Sequence, residues 1–161
     1  MPSSVSGKVA VVTGGASGIG AALTAKLAES GAEVWIADRQ VEMARALAER
    51  LRGRGAIVHA AELDVRSYPA FEQLAAEVVA TSGRIDYLFN NAGIGIGGEI
   101  DSFTVDDWNT IIDVNLRGVI NGIQAVYPVM IRQGSGHIVN TASMAGLLTM
   151  TAQAGYSATK H

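Results

Sequence analysis

The sequence predicts an α/β fold built on a doubly wound parallel sheet. Short apolar runs alternate along the chain with longer amphipathic stretches, and a repeated strand–helix–strand order folds into parallel βαβ units. The apolar runs are nearly continuous, which is typical of strands covered by helices on both faces. A glycine-rich turn joins the first run to the first amphipathic stretch. Together these observations indicate a Rossmann-type sheet with strand order 3-2-1-4-5.

The first half of the chain contains two strand–helix pairs. Leu23 and Leu27 are four residues apart and share one helical face, and Gly31 ends that helix. Gly53 and Gly55 close the second helix. The predicted elements are strands at 8–13 and 33–37 and helices at 19–30 and 41–51.

The second half continues the alternation. Ser67 is a typical N-cap for the third helix, and Thr104 with Asp107 three residues on forms a start that is similar to a capping box. Residues 94–103 form a glycine-rich loop. The other predicted elements are strands at 56–61, 86–89 and 136–141, and helices from 68 to 81, from 104 to 132 and from 153 onward.

Composition limits the classes of function. The 161 residues are 48% hydrophobic, which suits a single domain over residues 1–161 with an apolar core. A net charge of −3 argues against nucleic acid binding, which calls for a basic face. The absence of cysteine excludes disulfides and thiolate chemistry and suits a reducing compartment, so a cytoplasmic location is expected. No apolar run is long enough to cross a membrane, and the scattered histidines indicate no metal site.

The glycine-rich turn, TGGASGIG at residues 13–20, predicts a dinucleotide site. Gly14 turns the chain tightly, Gly18 lets backbone approach a pyrophosphate, and Gly20 lets the helix pack on the strand. The helix N-terminus offers free N–H groups to the phosphates. Tight turns also occur without ligands, and the glycine spacing here differs from G-x-G-x-x-G. The position of this turn between a strand and a helix nevertheless favours dinucleotide binding. The predicted cofactor contacts here are Gly14, Ser17, Gly18, Ile19 and Gly20.

Two acidic residues predict contacts to the adenosine end of the cofactor. Asp38 ends the second strand, where a carboxylate can accept hydrogen bonds from both ribose hydroxyls. It would repel a 2′-phosphate, which favours NAD over NADP. Arg39 leaves NADP open, because a guanidinium can pair with that phosphate. After the third strand, Asp64 could bond the adenine amino group and Val65 could pack on the ring, although a simple turn before the helix is the alternative explanation.

These motifs resemble those of the classical short-chain dehydrogenase/reductase family, in the same order and at the same spacing. The resemblance covers residues 8–160, whereas members of that family continue beyond the lysine with further strands and a substrate-binding segment. The resemblance therefore implies that the C-terminal strands are missing, and we expect the chain to be an incomplete, aggregation-prone piece of a longer protein unless it is paired. The motifs are Thr13-Gly14-x3-Gly18-Ile19-Gly20, Asp38, Asp64, Asn90-Asn91-Ala92-Gly93, Asn115, Ser143 and Tyr156-x3-Lys160.

Tyr156 and Lys160 predict acid–base chemistry because residues four apart share one helical face. An isolated phenol exchanges protons poorly at neutral pH, but a neighbouring ammonium favours the phenolate. The resemblance implies that Lys160 also holds the nicotinamide ribose and that Ser143 binds the substrate oxygen. It further implies that Asn115 distorts the long helix, so that a backbone carbonyl holds a water linked to the lysine. Taken singly, these residues could instead be a packing tyrosine, a turn serine and a surface amide.

The leading hypothesis is an oxidoreductase that transfers hydride between NAD(H) and a secondary alcohol or its ketone. A non-catalytic nucleotide-binding or scaffolding domain is the alternative, and an epimerase or dehydratase is disfavoured by the glycine spacing. The resemblance implies a small-molecule substrate and a homodimer or homotetramer formed through the helices at Thr104 and Tyr156. Asn91, Ala92 and Gly93 are expected to touch the cofactor, although the asparagines could equally tie the sheet together.

Overall fold

The apolar runs form one parallel sheet of five strands in the computed structural model, which describes residues 4–148 and 150–161. The order is β3-β2-β1-β4-β5, so the predicted fold class and strand order are confirmed. The strands are β1 (Val9–Thr13), β2 (Glu33–Asp38), β3 (Val58–Glu62), β4 (Tyr87–Asn90) and β5 (His137–Asn140). The α-helices are α1 (Gly18–Glu29), α2 (Val41–Arg52), α3 (Tyr68–Ser82), α4 (Val105–Ile112), α5 (Gly118–Gln133) and α6 (Ala154–Lys160).

Alternate side chains of β1 enter two separate cores. Val9 and Val11 pack with the buried faces of α3 and α5, and Ala10 and Val12 pack with those of α1 and α2. Successive side chains of a strand point to opposite faces, so an apolar residue at every position supplies both layers. This is why the strand sequences show no polar alternation and why the sheet carries helices on both sides.

The helix predicted over 104–132 is divided in the structure. A capping box at Thr104 and Asp107 starts α4, as predicted. The wide π-helical turn Asp113–Arg117 then separates α4 from α5. Such a turn places an extra residue in the helix and is often found at functional sites. The other boundaries lie within two residues of the predicted ones.

The polar ends of the strands meet at one edge of the sheet, as in any parallel arrangement. Among the described residues, β5 pairs with β4 alone and leaves its other side open. No helix in the described parts of the chain is both long and apolar enough to cross a membrane.

Candidate active site

A cleft of about 800 Å³ opens at the carboxyl edge of the sheet, between the glycine-rich turn and α6. Its wall includes every residue that the sequence predicts for the cofactor, although these residues come from five separate segments of the chain. They are Gly14, Ser17, Gly18, Ile19, Gly20, Asp38, Asp64, Val65, Asn91, Ala92, Gly93, Tyr156 and Lys160.

The glycine-rich turn is packed too closely for side chains at three of its positions, Gly14, Gly15 and Gly20. Gly14 has a φ of +61°, and a Cβ atom there would lie 2.9 Å from the Cα of Ala92. A Cβ atom on Gly20 would lie 2.0 Å from the carbonyl oxygen of Gly14. The turn therefore brings the start of α1 directly onto the end of β1. Ser17 caps α1 without a side-chain bond, and the first turn has no acidic residue, which leaves this helix end suited to an anion.

Thr13, which the sequence motif contains but for which no role was predicted, fixes the strand ends behind the turn. Its buried hydroxyl accepts hydrogen bonds from the backbone N–H groups of Asn91 and Ala92, each at 3.0 Å, and donates to the carbonyl of Phe89 at 3.3 Å. Asn91 also donates through Nδ2 to the carbonyl of Thr13 at 3.0 Å. Asn91 thus ties β1 to the end of β4 and lines the cleft at the same time. A buried threonine directly before a glycine-rich turn is the signal that could have revealed this role.

Asn90 lies behind the cleft and ties two strands together. Its Nδ2 donates to the Oδ1 of Asn140 at 2.9 Å, joining the ends of β4 and β5. This contact fits the sheet-tying alternative for Asn90.

Asp38 is held at the rim by backbone donors on both sides. Its Oδ2 accepts from the N–H of Ala16 at 3.0 Å, and its Oδ1 accepts from the N–H of Gln40 at 2.9 Å. The carboxylate therefore has a fixed position at the end of β2, next to the glycine-rich turn. The exposed Arg39 and Gln40 also line the cleft beside it.

Asp64 forms a close ion pair with Arg66, a residue that the sequence did not single out. The Nη2 of Arg66 lies 2.5 Å from Oδ2, and its Nε lies 2.9 Å from Oδ1. Hydrogen bonding from this guanidinium lowers the pKa of the Asp64 carboxyl below its ordinary value. Val65 is buried, and its carbonyl accepts a bond of 2.9 Å from the Nδ2 of Asn121 on α5.

Tyr156 and Lys160 reach the opposite end of the cleft from α6. The Nζ of Lys160 lies 5.8 Å from the centroid of the Tyr156 ring and donates to the carbonyl of Thr141 at 2.9 Å. Gly155 of α6 packs closely on two aromatic side chains, because a Cβ atom there would lie 3.1 Å from Phe103 and 3.6 Å from Trp108. The missing side chain at Gly155 therefore lets α6 lie close to α4.

Asn115 lies behind the cleft rather than in its wall. Its buried side chain accepts from the N–H of Ile94 at 2.8 Å and donates to the carbonyl of Ile94 at 2.9 Å. Its Nδ2 also donates to the hydroxyl of Thr159 at 3.1 Å. Asn115 therefore connects the π-helical turn, the loop after β4 and α6, and Thr159 is a further residue that the sequence did not indicate.

Ser143 does not line the cleft described above. Its Oγ accepts from the N–H of Ala145 at 3.1 Å and caps the short 3-10 turn Met144–Gly146. That turn contacts the end of α6, since a Cβ atom on Gly146 would lie 2.0 Å from the carbonyl oxygen of Lys160. Ser143 is thus placed beside the tyrosine helix, with its hydroxyl used in a local cap.

Several further residues of the wall were not named from the sequence. They come from loops and from helix faces whose direction depends on tertiary packing, so that local pattern gives little sign of them. They are Leu63, Thr110, Val114, Thr141 and Gln153. Over residues 4–148 and 150–161, no three histidine, aspartate or glutamate side chains are grouped to hold a metal ion.

Comparison with protein families gives a match over nearly the whole chain. The model of the short chain dehydrogenase family matches residues 8–161. An uncharacterized oxidoreductase of Listeria monocytogenes is 37% identical over 156 residues, which are 97% of this chain and 63% of the relative. The 2,5-dichloro-2,5-cyclohexadiene-1,4-diol dehydrogenase LinX of Sphingobium indicum is 36% identical over 160 residues, covering 99% of this chain and 64% of that enzyme. The chain therefore spans less than two thirds of the length of these relatives.

Solved structures of dehydrogenases have the same fold. A short chain dehydrogenase/reductase from Burkholderia phymatum in complex with NAD has a TM-score of 0.95 and 38% identity, over 98% of this chain and 56% of that one. A gluconate 5-dehydrogenase from Burkholderia cenocepacia in complex with NADP and tartrate has a TM-score of 0.91 and 41% identity, over 96% of this chain and 61% of that one.

Proposed function

The chain belongs to the short-chain dehydrogenase family, and on that basis we propose that it acts in hydride transfer between NAD(H) and a secondary alcohol or its ketone. The observation that carries this proposal is that one cleft joins the glycine-rich turn to Tyr156 and Lys160. A dinucleotide site and a phenol paired with an ammonium are the two parts that such a reaction needs.

The residues of the cleft fit a dinucleotide. The turn at Gly14 and Gly20 excludes side chains, and the N-terminus of α1 presents N–H groups in a first turn that has no acidic residue. Asp38 stands at the end of β2 with its carboxylate fixed by two backbone donors. These features suit a pyrophosphate at the turn and a ribose at Asp38.

In the proposed reaction, Tyr156 moves the proton. During oxidation its phenolate takes the hydroxyl proton of the alcohol, and during reduction its hydroxyl returns a proton to the carbonyl oxygen. Lys160 stabilises the phenolate by its charge, and the carbonyl of Thr141 holds the ammonium in place. A bound nicotinamide would supply the hydride acceptor or donor.

Asn115 and Ser143 have supporting roles in this proposal. Asn115 is a positioning residue, because its bonds to Ile94 and Thr159 connect the loop after β4 to the tyrosine helix. Ser143 binds the substrate oxygen. Its hydroxyl must then donate a hydrogen bond to the substrate while its oxygen still accepts one from the N–H of Ala145.

For the cofactor we propose NAD rather than NADP. The fixed carboxylate of Asp38 would meet the 2′-phosphate of NADP with a charge of like sign. Direct titration of the chain with both dinucleotides checks this preference, and tighter binding of NADP would show that Arg39 determines the choice instead.

We also propose a cytoplasmic protein that assembles as a homodimer or homotetramer. The lack of cysteine suits a reducing compartment. The outer face of α5 carries exposed apolar side chains, which are typical of a surface that is covered in an assembly.

The Tyr156→Phe variant tests the catalytic assignment. We expect its turnover of an alcohol and ketone panel, followed by NADH absorbance, to fall by about 10²–10⁴-fold, because the proton-transfer group is lost. Its affinity for NADH should change little, since the ring is kept. Tyr68→Phe is the matched control, because Tyr68 is exposed on α3, outside the wall of the cleft, and its hydroxyl donates to Glu72. Full activity in Tyr156→Phe would end the assignment, and cofactor binding without turnover of any substrate by the unaltered chain would favour a binding domain.

A further inference from the structure

The hydroxyl of Thr159 lies between the buried amide of Asn115 and the backbone of the tyrosine helix. It accepts a hydrogen bond of 3.1 Å from the Nδ2 of Asn115 and donates one of 2.8 Å to the carbonyl of Tyr156. Asn115 belongs to the π-helical turn, whereas Thr159 and Tyr156 belong to α6. One side-chain oxygen therefore joins the π-helical turn to the helix that carries the phenol.

The amide of Asn115 extends this connection to the wall of the cleft. Its second Nδ2 hydrogen goes to the carbonyl of Ile94 at 2.9 Å, and its Oδ1 accepts from the N–H of Ile94 at 2.8 Å, so both of its donors are used. Asn115 is 3% exposed, so water cannot readily replace a lost partner. Since Ile94 and Gly93 line the cleft, hydrogen bonds run from the loop after β4 through Asn115 and Thr159 to Tyr156.

The bond acts on a short helix. α6 has seven residues, about two turns, and close packing at Gly155 sets how near it lies to α4. Apolar packing is non-directional, whereas a hydrogen bond depends on angle, so the bond to Thr159 restricts rotation of α6 about its axis. Lys160 also bonds the carbonyl of Thr141, but through a flexible four-carbon stem that tolerates such a rotation.

We propose that Thr159 is a positioning residue for proton transfer. Its two hydrogen bonds fix the rotation of α6, and with it the place of the Tyr156 hydroxyl relative to the loop after β4. The inference rests on the proposed function of Tyr156. Thr159→Val keeps the shape of the side chain but breaks both bonds and leaves a buried N–H of Asn115 unpaired, whereas Thr159→Ser keeps the hydroxyl.

The first measurement is turnover of NAD with a panel of alcohols. We expect Thr159→Val to lower kcat about tenfold to a hundredfold, because a small displacement of the reacting group is costly, while KM for NAD changes less than about twofold. Thr159→Ser should keep kcat within about threefold of the unaltered chain. Thr159→Ala leaves space for water beside the amide and should lose less than the valine variant, so it serves if that variant folds poorly.

Ser157→Ala is the matched control. Ser157 lies on the same helix, and its buried hydroxyl bonds nothing in the part of the chain that the structure describes. Its kcat should equal that of the unaltered chain. A loss of kcat in Thr159→Ser as large as in Thr159→Val would overturn the inference, because serine retains the hydrogen-bonding group.

The second measurement, amide hydrogen exchange by NMR, needs no turnover. The N–H of Ile94 should exchange at least about tenfold faster in Thr159→Val, because its acceptor, the Asn115 amide, has lost a partner, and should be unchanged in Thr159→Ser and Ser157→Ala. Unchanged exchange at Ile94 in Thr159→Val would overturn the inference, since the effect of Thr159 would then end within α6. If the unaltered chain turns over no substrate, the proposed function fails, and the exchange rates alone decide whether Thr159 connects α6 to the loop.

Discussion

A single hydroxyl group, that of Thr13, determines how the ends of β1 and β4 meet behind the cleft. It accepts hydrogen bonds from two backbone N–H groups, those of Asn91 and Ala92. Since the side chain is almost fully buried, water cannot replace these bonds.

Thr13→Val should therefore be strongly destabilising although the two side chains have nearly the same shape. Leaving the N–H groups of Asn91 and Ala92 unpaired should cost about 2–4 kcal/mol in the free energy of unfolding. Urea denaturation measures this cost. Thr81→Val, at an exposed site on α3, is the control and should change stability by less than about 0.5 kcal/mol. A Thr13→Val variant as stable as the unaltered chain would mean that the strand ends relax and find other partners.

Thr13 also shows which residues of the site could not be predicted from the sequence. The glycine-rich turn and Asp38 were predicted because their chemistry is local to a strand–helix junction, and they line one cleft. The partners of Thr13 are Asn91 and Ala92, which lie 78 and 79 positions further along the chain. A local sequence pattern does not indicate such a distant partner. Arg66 was missed for another reason: its partner is near in sequence, but its position at the cleft depends on the packing of α5 against the segment after β3.

At the scale of elements, one helix differs from the prediction based on periodicity, and it does so around Asn115, where the family resemblance implied a distortion. Hydrophobic periodicity predicted a continuous helix over 104–132, because one extra residue within it hardly changes the pattern on either side. The π-helical turn Asp113–Arg117 turns Asn115 inward, where its amide bonds the backbone of Ile94. The insertion is thus determined by a tertiary contact, and helix propensity alone does not encode it.

Asp86 connects the start of β4 to β1 and should make the free energy of unfolding depend on pH. It precedes β4 and accepts a bond of 2.9 Å from the N–H of Val9 in β1. Burial alone would raise the pKa of its carboxyl, but hydrogen bonds from Arg84 and Val9 and the charges of Arg84 and Lys8 outweigh burial and lower it. Since the folded pKa lies below the unfolded value of 3.8, the stabilisation is present above that pH and is lost as the pH falls below it.

Asp86→Asn should therefore lower the free energy of unfolding at pH 7 by about 1–3 kcal/mol, and the difference from the unaltered chain should shrink toward pH 3. Urea titrations at pH 7, 5 and 3 give the comparison. Glu77→Gln, at an exposed site on α3, should show no such trend. A constant difference across this range would show that the carboxylate charge contributes nothing to the junction.

On the scale of the whole molecule, the order of the strands was predictable because it follows from general rules. Parallel βαβ units cross over with one hand, and apolar strands need helices on both faces. These rules do not predict which residues lie exposed on the outer surface of the helices. Ile120, Tyr127 and Ile131 form an exposed apolar stripe along α5, with 47%, 53% and 61% of their surfaces exposed, and Tyr127 and Ile131 lie beside Ile138 of β5.

The double variant Ile120→Lys, Ile131→Lys should weaken self-association, because two charges replace the apolar stripe. Sedimentation velocity of the unaltered chain should show a dimer or tetramer, and the variant should sediment as a monomer at the same concentration. Ile57→Lys is the matched control, since Ile57 is 61% exposed before β3 and should leave the assembly intact. An unaltered chain that sediments as a monomer would contradict the proposed assembly.

Trp108 lies beneath Gly155, within the seat of α6. The chain has only one other tryptophan, Trp35, which is buried in the opposite part of the sheet. With Trp35 replaced by phenylalanine, indole emission would come from a single site under the tyrosine helix. The molecule thus contains an intrinsic optical probe of that helix, which can follow ligand entry without an attached dye.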